Sequence, residues 1–375
     1  MVSTAKQYAW AQLFTPFASC LELPPGMCKL NLRHFGWFLL LAGLTSSSLS
    51  AQWFRENSGT TERLRAVSVV NDSIAWASGN HGTFVETIDS GKNWVTSKVA
   101  GCDSLDFRDI EAFDARNAYI LSIGPGEKSR IYKTSNGGST WTLQYVADDP
   151  RIFLDEFAFW DSQHGIAVGD ALDGHLFLIR TSDGGNHWNR IPPASTPDAL
   201  PGEGAFAASG SGITVEGTND GWIGTGVNTA RVYRSTDRGV SWWVSSTPIL
   251  HNTESSGIFS IAFANGDTGI AVGGDYKKEN ESTRNVALTK DGGMTWAIPA
   301  GTPPAGFRSS VIYLTADYLV TVGPSGTDFS NDGGKNWTQI DMIGYHAVGK
   351  ARNGTSIWAV GENGRIGRYV DLIVR

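Results

Sequence analysis

The sequence predicts an all-β chain folded as a seven-bladed β-propeller of four-stranded antiparallel blades. Three observations predict it: an eight-residue pattern that recurs six times, a near-regular spacing of the copies, and an apolar strand ending in glycine ahead of the copies. The pattern is Ser or Thr, any residue, Asp, any residue, Gly, two further residues and Trp. It runs from Thr87 to Trp94, Thr134 to Trp141, Thr181 to Trp188, Ser235 to Trp242, Thr289 to Trp296 and Ser330 to Trp337. The tryptophans lie 47, 47, 54, 54 and 41 residues apart, which is the length of one four-stranded blade.

The chemistry of the repeat is that of a tight hairpin. A short Asp side chain accepts backbone N–H bonds from the residues that follow it and closes a turn locally. The glycine two positions on supplies a positive φ that other residues resist. The tryptophan opens the next strand and buries a large area between blades. Asp89, Asn136, Asp183, Asp237, Asp291 and Asp332 hold the acidic position, with Asn136 able to form the same turn. These residues are read as structural and none as catalytic.

The glycine-ending strands include Ala75–Gly79, Gly165–Gly169, Gly221–Gly226, Gly269–Gly273 and Leu319–Gly323. A further copy, Ile357–Gly361, follows the last repeat and continues into Arg365–Tyr369 with no turn motif after it. Six complete units and this incomplete one give seven blades. The missing outer strand is expected from the other end of the chain, around Gln52–Arg55, because pairing first and last strands removes exposed edges. Counts of six or eight blades are the alternatives.

Composition agrees with a turn-rich β fold. Of 375 residues 45 are Gly and 14 are Trp, and the net charge of −7 supplies no basic footprint for nucleic acid. Near the start, Lys29, Arg33 and His34 precede a ten-residue apolar run from Phe35 to Leu44, then small residues to Ala51. That order matches a secretory signal, and the run is short for the roughly 20 residues of a spanning helix. The expected division is an N-terminal extension and signal over 1–51, with Met27 as the candidate true start, and one propeller over 52–375. Cleavage would remove Cys20 and Cys28 and leave Cys102 alone, so no internal disulfide is expected. An exported protein follows, periplasmic or extracellular, monomeric and without a stable membrane span; a retained N-terminal anchor is the alternative.

The repeats and their spacing resemble the Asp-box, or BNR-repeat, proteins, which include sialidases, xyloglucanases and sortilin-type receptors. A single ring with an Ala-Val-Gly strand ahead of its boxes looks most like the photosystem II stability/assembly factor family, over about residues 52–372. That resemblance implies Asp-box hairpins throughout and a role in binding protein. The sialidase resemblance implies an arginine triad and an Arg-Ile-Pro motif before the first box. Here Arg190 to Pro192 follows the third box instead, where an outer strand begins. Xyloglucanases place two carboxylates between two propellers, and this chain has one. Scattered histidines, a lone mature cysteine and no glycine-rich loop ahead of a helix offer neither a metal site nor a cofactor cradle.

Two sets of residues break the repeat and carry the functional expectation. Counting back from the glycine-ending strands aligns Arg65, Arg108, Asp155, Phe259, Arg308 and His346, each after an apolar residue. In a propeller such positions converge on the mouth of the central channel, and guanidinium groups there suit carboxylate or phosphate. The alternative is that the arginines pair with Asp109, Glu111 or Asp155 and tie blades together. The second set lies in the long excursions Pro192–Phe206, His251–Ser256 and Asp275–Ser282: Glu203, His251, Glu254 and Tyr276. Two functions of different class follow: a binding or assembly propeller that recognises a protein or an anionic ligand at the mouth, and a glycan-active hydrolase using loop carboxylates such as Glu203 and Glu254.

Overall fold

The second strand of each blade is apolar on both faces because a blade lies between two others. Ala75–Gly79, Leu319–Gly323 and Ile357–Val360 are buried at every residue, which is why they read as mainly apolar runs, broken only by Ser78 and Thr321, rather than as alternating strands. A computed structural model describes residues 52–370, and there the chain forms seven antiparallel sheets arranged as a propeller. The apolar N-terminal run, Met27 and the last five residues fall outside the described part.

The innermost strands, in blade order, are Leu64–Val69, Asp106–Ala112, Leu154–Phe159, Ile213–Glu216, Ser256–Phe263, Ser310–Tyr313 and Ala347–Lys350. Six blades have four strands. Blade 5 departs: its outer strand shrinks to one bridge between Leu288 and Ala297. Pro299 follows two residues on and has no N–H to donate at the next ladder position. The inner edge of that blade is instead extended by a short antiparallel pair, Glu203–Gly204 and Gly226–Val227.

The ring closes as the repeat implies. Gln52–Asn57 pairs antiparallel with Arg365–Val370 as the outer strand of blade 7. Trp53, 5% exposed, fixes that strand: its Nε1 donates to Thr327 Oγ1 at 2.9 Å, and its ring meets those of Tyr345 and Tyr369 at 5.1 and 5.2 Å. The core is accordingly a series of seams between neighbouring blades. One joins Trp76 and Phe84 of blade 1 to Phe107, Ile110 and Ile120 of blade 2.

The six turns share one hydrogen-bond set. Thr87 Oγ1 donates to Asp89 Oδ1 (3.0 Å) and accepts from the Gly91 N–H (3.0 Å), while Asp89 Oδ1 accepts from the Asn93 N–H (2.9 Å). The same three bonds form around Asn136, Asp183, Asp237, Asp291 and Asp332. The hydroxyl at the first position therefore has a definite role, because it links the carboxylate to the glycine. Donors four residues on, from His187 and Thr295, hold the Asp183 and Asp291 carboxyls down at about 2. At Gly91 φ is +80°, and an added Cβ would lie 2.1 Å from the Trp358 ring. Glycine is demanded there twice over, by backbone conformation and by the seam.

Candidate functional site

Four of the innermost strands begin with a bulge. The pairing slips between Leu64 and Ala66, Phe107 and Asp109, Leu154 and Glu156, and Ile258 and Ser260. The extra residues are Arg65, Arg108, Asp155 and Phe259, and a bulge re-aims its extra side chain out of the strand's alternation. Arg65, Arg108, Phe259 and His346 line one cavity of about 420 Å³ at the end of the channel.

Arg308 does not belong to this ring. Its N–H bonds to the Gly273 carbonyl, as the N–H of Leu64 bonds to Gly361, of Ile258 to Thr225 and of Tyr345 to Gly323. Arg308 thus holds the buried position that Leu64 holds in blade 1, and Ser309 is the counterpart of Arg65. The apolar residue used for alignment, Phe307, sits one place too early. The Arg308 guanidinium is fully buried against Asp328 (2.5 Å) and also donates to the carbonyls of Phe307 and Ala305 and to Ser325 Oγ. It is a structural ion pair.

The excursion Pro192–Phe206 does more than lengthen a loop. After Gly204 the chain crosses the channel as a strap, residues 205–212, before entering blade 4. Phe206 stacks on Phe259 at 3.9 Å, Arg108 Nη1 donates to the Ala207 carbonyl and Arg65 Nη2 to the Ala208 carbonyl, both at 2.8 Å. Farther along, Ser209 donates to the Ser309 carbonyl, and Ser211 donates to Ser260 Oγ and lies within hydrogen-bond distance of Ser310 Oγ. Carboxylates take the opposite side. Glu156 Oε2 accepts from the N–H groups of Gly212 and Ile213, and the Asp155 and Asp170 carboxyls lie near the Ala207 and Ala205 N–H groups. Asp155 is therefore buried against the strap, and the cavity lining does not include it.

The cavity above the strap has two unlike sides. Phe206, Phe259, Phe307 and Tyr276 form an aromatic wall, with Phe307 and Tyr276 edge-on to Phe259 at 4.6 and 6.1 Å. Opposite stand Arg63, Arg65 and Arg108. Arg108 is bound to Asp106 at 2.7 Å and Arg63 to Glu362 at 2.8 Å. Arg65 has no carboxylate partner among the described residues, and its Nε is buried without a hydrogen-bond acceptor. Burial and the neighbouring Arg108 pull its guanidinium down to about 9, which leaves it charged at neutral pH. His346 Nε2 sits 3.0 Å from Glu362. Burial and the charge of Arg65 push its imidazole down to about 3, so it is neutral and adds no positive charge to the mouth.

The excursion residues separate. Tyr276, 43% exposed, joins the arginines at the mouth. Glu203 is buried in an ion pair with Arg231 and also accepts from Thr225 Oγ1 (2.7 Å) and the Leu200 N–H (2.8 Å); it anchors the excursion and is not offered to solvent. His251 donates from Nδ1 to the Ile249 carbonyl, Glu254 is exposed, and the mouth lining includes neither. Sequence reasoning missed Arg63, Phe206, Ser309 and Glu362 as lining residues. Phe206 alone carried a signal, as the only large side chain in a run of Gly, Ala and Ser.

The sequence matches no protein-family model and no curated protein. Solved structures do resemble it. YCF48 bound to D1 peptide superposes with a TM-score of 0.61 at 14% identity, covering 88% of this chain and all of that one. YCF48 from Cyanidioschyzon merolae gives 0.59 at 13%, covering 84% and 98%. The GH74 enzyme of Niastella koreensis gives 0.56 at 13%, covering 82% of this chain and 52% of that one. At these identities the likeness is one of fold, a propeller that serves binding proteins and enzymes alike.

Proposed function

We propose that the protein is an exported, assembly-factor-like binding propeller that captures a segment of a partner protein at the channel mouth, through an acidic group on that segment. Arg65 carries this reading: a half-buried cation with an idle donor and no carboxylate partner among the described residues, facing an aromatic wall in the same cavity. An aromatic wall buries an apolar side chain, and a guanidinium fork takes the carboxylate beside it. The strap supports a peptide ligand, because Arg65 and Arg108 already hold backbone carbonyls there. A similar fold, YCF48, is recorded bound to a D1 peptide, and this is consistent with the same use.

The hydrolase reading rests on the arginine set and on loop carboxylates such as Glu203 and Glu254; Glu203 is locked to Arg231 and Glu254 is absent from the mouth lining, so those two carboxylates do not support it. The test is an array of short peptides that pairs Asp or Glu with aromatic neighbours, probed with the protein and with Arg65→Gln. Charge-assisted hydrogen bonds contribute about 1.5–3 kcal/mol, so binding to acidic members should fall roughly tenfold or more in the variant. No enrichment of acidic peptides, or identical enrichment on Arg65→Gln, would overturn the proposal.

A further inference from the structure

We propose that the strap across the channel is a pH-sensitive closure, shut in acid and at neutrality and loosened in alkali, so that the mouth cavity then communicates with the rest of the channel. The two sides of the strap are held by different chemistry. Its carbonyls at Ala207 and Ala208 are gripped by Arg108 and Arg65, while its far end, at the N–H groups of Gly212 and the adjoining Ile213, is gripped by the Glu156 carboxyl. Asp109, Asp155 and Glu156 are 3%, 2% and 1% exposed, and none has a cationic partner among the described residues.

Other blades solve the same local problem without charge. Ser260 Oγ accepts from the Val311 N–H and Ser310 Oγ from the Val348 N–H, each capping the inner edge of the next blade. Asp109 does this for Phe157, and Glu156 for Ile213. A serine would serve the cap, so the carboxyls bring a protonation equilibrium that the cap does not require. They also fit closely against the strap: an added Cβ on Gly210 would lie 2.3 Å from Asp109, and one on Gly212 2.9 Å from Glu156.

The acidic groups that act on Glu156 are Asp109 from blade 2 and Asp155 on its own strand, and Asp170 from the second strand of blade 3 acts in turn on Asp155. Arg65 and Arg108 stand beyond the strap. Blades 5 and 6 contribute only Ser260, Ser309 and Ser310. Burial, chiefly, pushes the Glu156 carboxyl up to about 8. Burial together with Glu156 raises Asp109, and burial with Asp170 and Glu156 raises Asp155. Protonated, the carboxyls sit in the seam without a desolvated charge. Ionised, Glu156 repels both Asp109 and Asp155, and letting water in beside the strap relieves that.

The test is amide hydrogen exchange on the full chain from about pH 6 to about pH 9, corrected for the base catalysis of exchange itself, with Ala118–Ile123 as the internal reference. Protection at Ala207–Ser211 should fall at least about tenfold relative to the reference, and Asp109→Asn with Glu156→Gln should remove that slope. A flat profile in the unaltered protein overturns the proposal, and so does a slope that survives in the double variant. Should that variant fail to fold, Asp155→Asn serves in its place, with a reduced slope expected and an unchanged slope decisive against the idea.

Discussion

Replacing Arg308 with Met should destabilise the propeller without touching the mouth. In the folded chain the guanidinium is 0% and the Asp328 side chain 1% exposed, and four acceptors surround the arginine. With the arginine gone, Asp328 keeps only the Ala305 N–H, at 3.2 Å. Removing one member of a buried pair strands the other charge, at a cost of about 3–5 kcal/mol, whereas replacing both by apolar residues of similar volume is often neutral. Arg308→Met alone should therefore lose about 3–5 kcal/mol, and Arg308→Met with Asp328→Leu should recover most of it. Guanidinium denaturation of the two single variants, the double variant and the unaltered protein completes the cycle, with peptide-array binding measured alongside. A single-variant loss below about 1 kcal/mol would refute the claim that the pair is buried and uncompensated. A loss of peptide binding with stability unchanged would return Arg308 to the ligand site.

Two further outcomes follow from the seams. Trp53→Ala removes a buried ring and its hydrogen bond to Thr327 from the closing strand, so thermal or denaturant unfolding should show a loss of about 3–5 kcal/mol; a loss under about 1 kcal/mol would mean that ring closure matters little to stability. Glu86, half-buried in blade 1, is pushed up to about 7 by burial. An acid whose folded value is raised binds more protons folded than unfolded, so its contribution falls as pH climbs from about 4.5 to about 7. With half of the group in solvent the effect is of order 1 kcal/mol. The stability difference between Glu86→Gln and the unaltered chain should therefore grow over that range, and a constant difference would contradict it.

The repeat made the fold legible because each box states its own turn, seam and spacing, and errors in one copy are corrected by the others. The mouth was legible only in part. Arg65, Arg108 and His346 could be aligned because Leu64, Phe107 and Tyr345 mark the buried position before them. In blade 6 that marker fails, since the buried position is filled by a charged residue with a buried partner, and Phe307 takes its place in the pattern. The strap was illegible for a different reason. A segment that crosses a narrow channel beside Asp109 and Glu156 has room only for small residues, so it looks like an ordinary flexible loop and carries neither strand nor helix periodicity. Glu203 looked like a loop carboxylate because its partner Arg231 lies 28 residues away and belongs to another strand.

The pairing of Gln52–Asn57 with Arg365–Val370 also sets an order of events. Those two strands are separated by more than 300 residues, so Gln52–Asn57 waits through synthesis of the rest of the ring before it has its partner. Until then its edge and Trp53 stay uncovered, and the nascent ring is an open arc with two unpaired ends. Contacts of such long sequence separation form late and slow folding, and an uncovered edge is where one chain adds to another. The last step of folding is thus a latch that only the finished chain can throw. A chain stopped short of Arg365 would hold blades that each look complete yet remain an open arc, prone to join its neighbours.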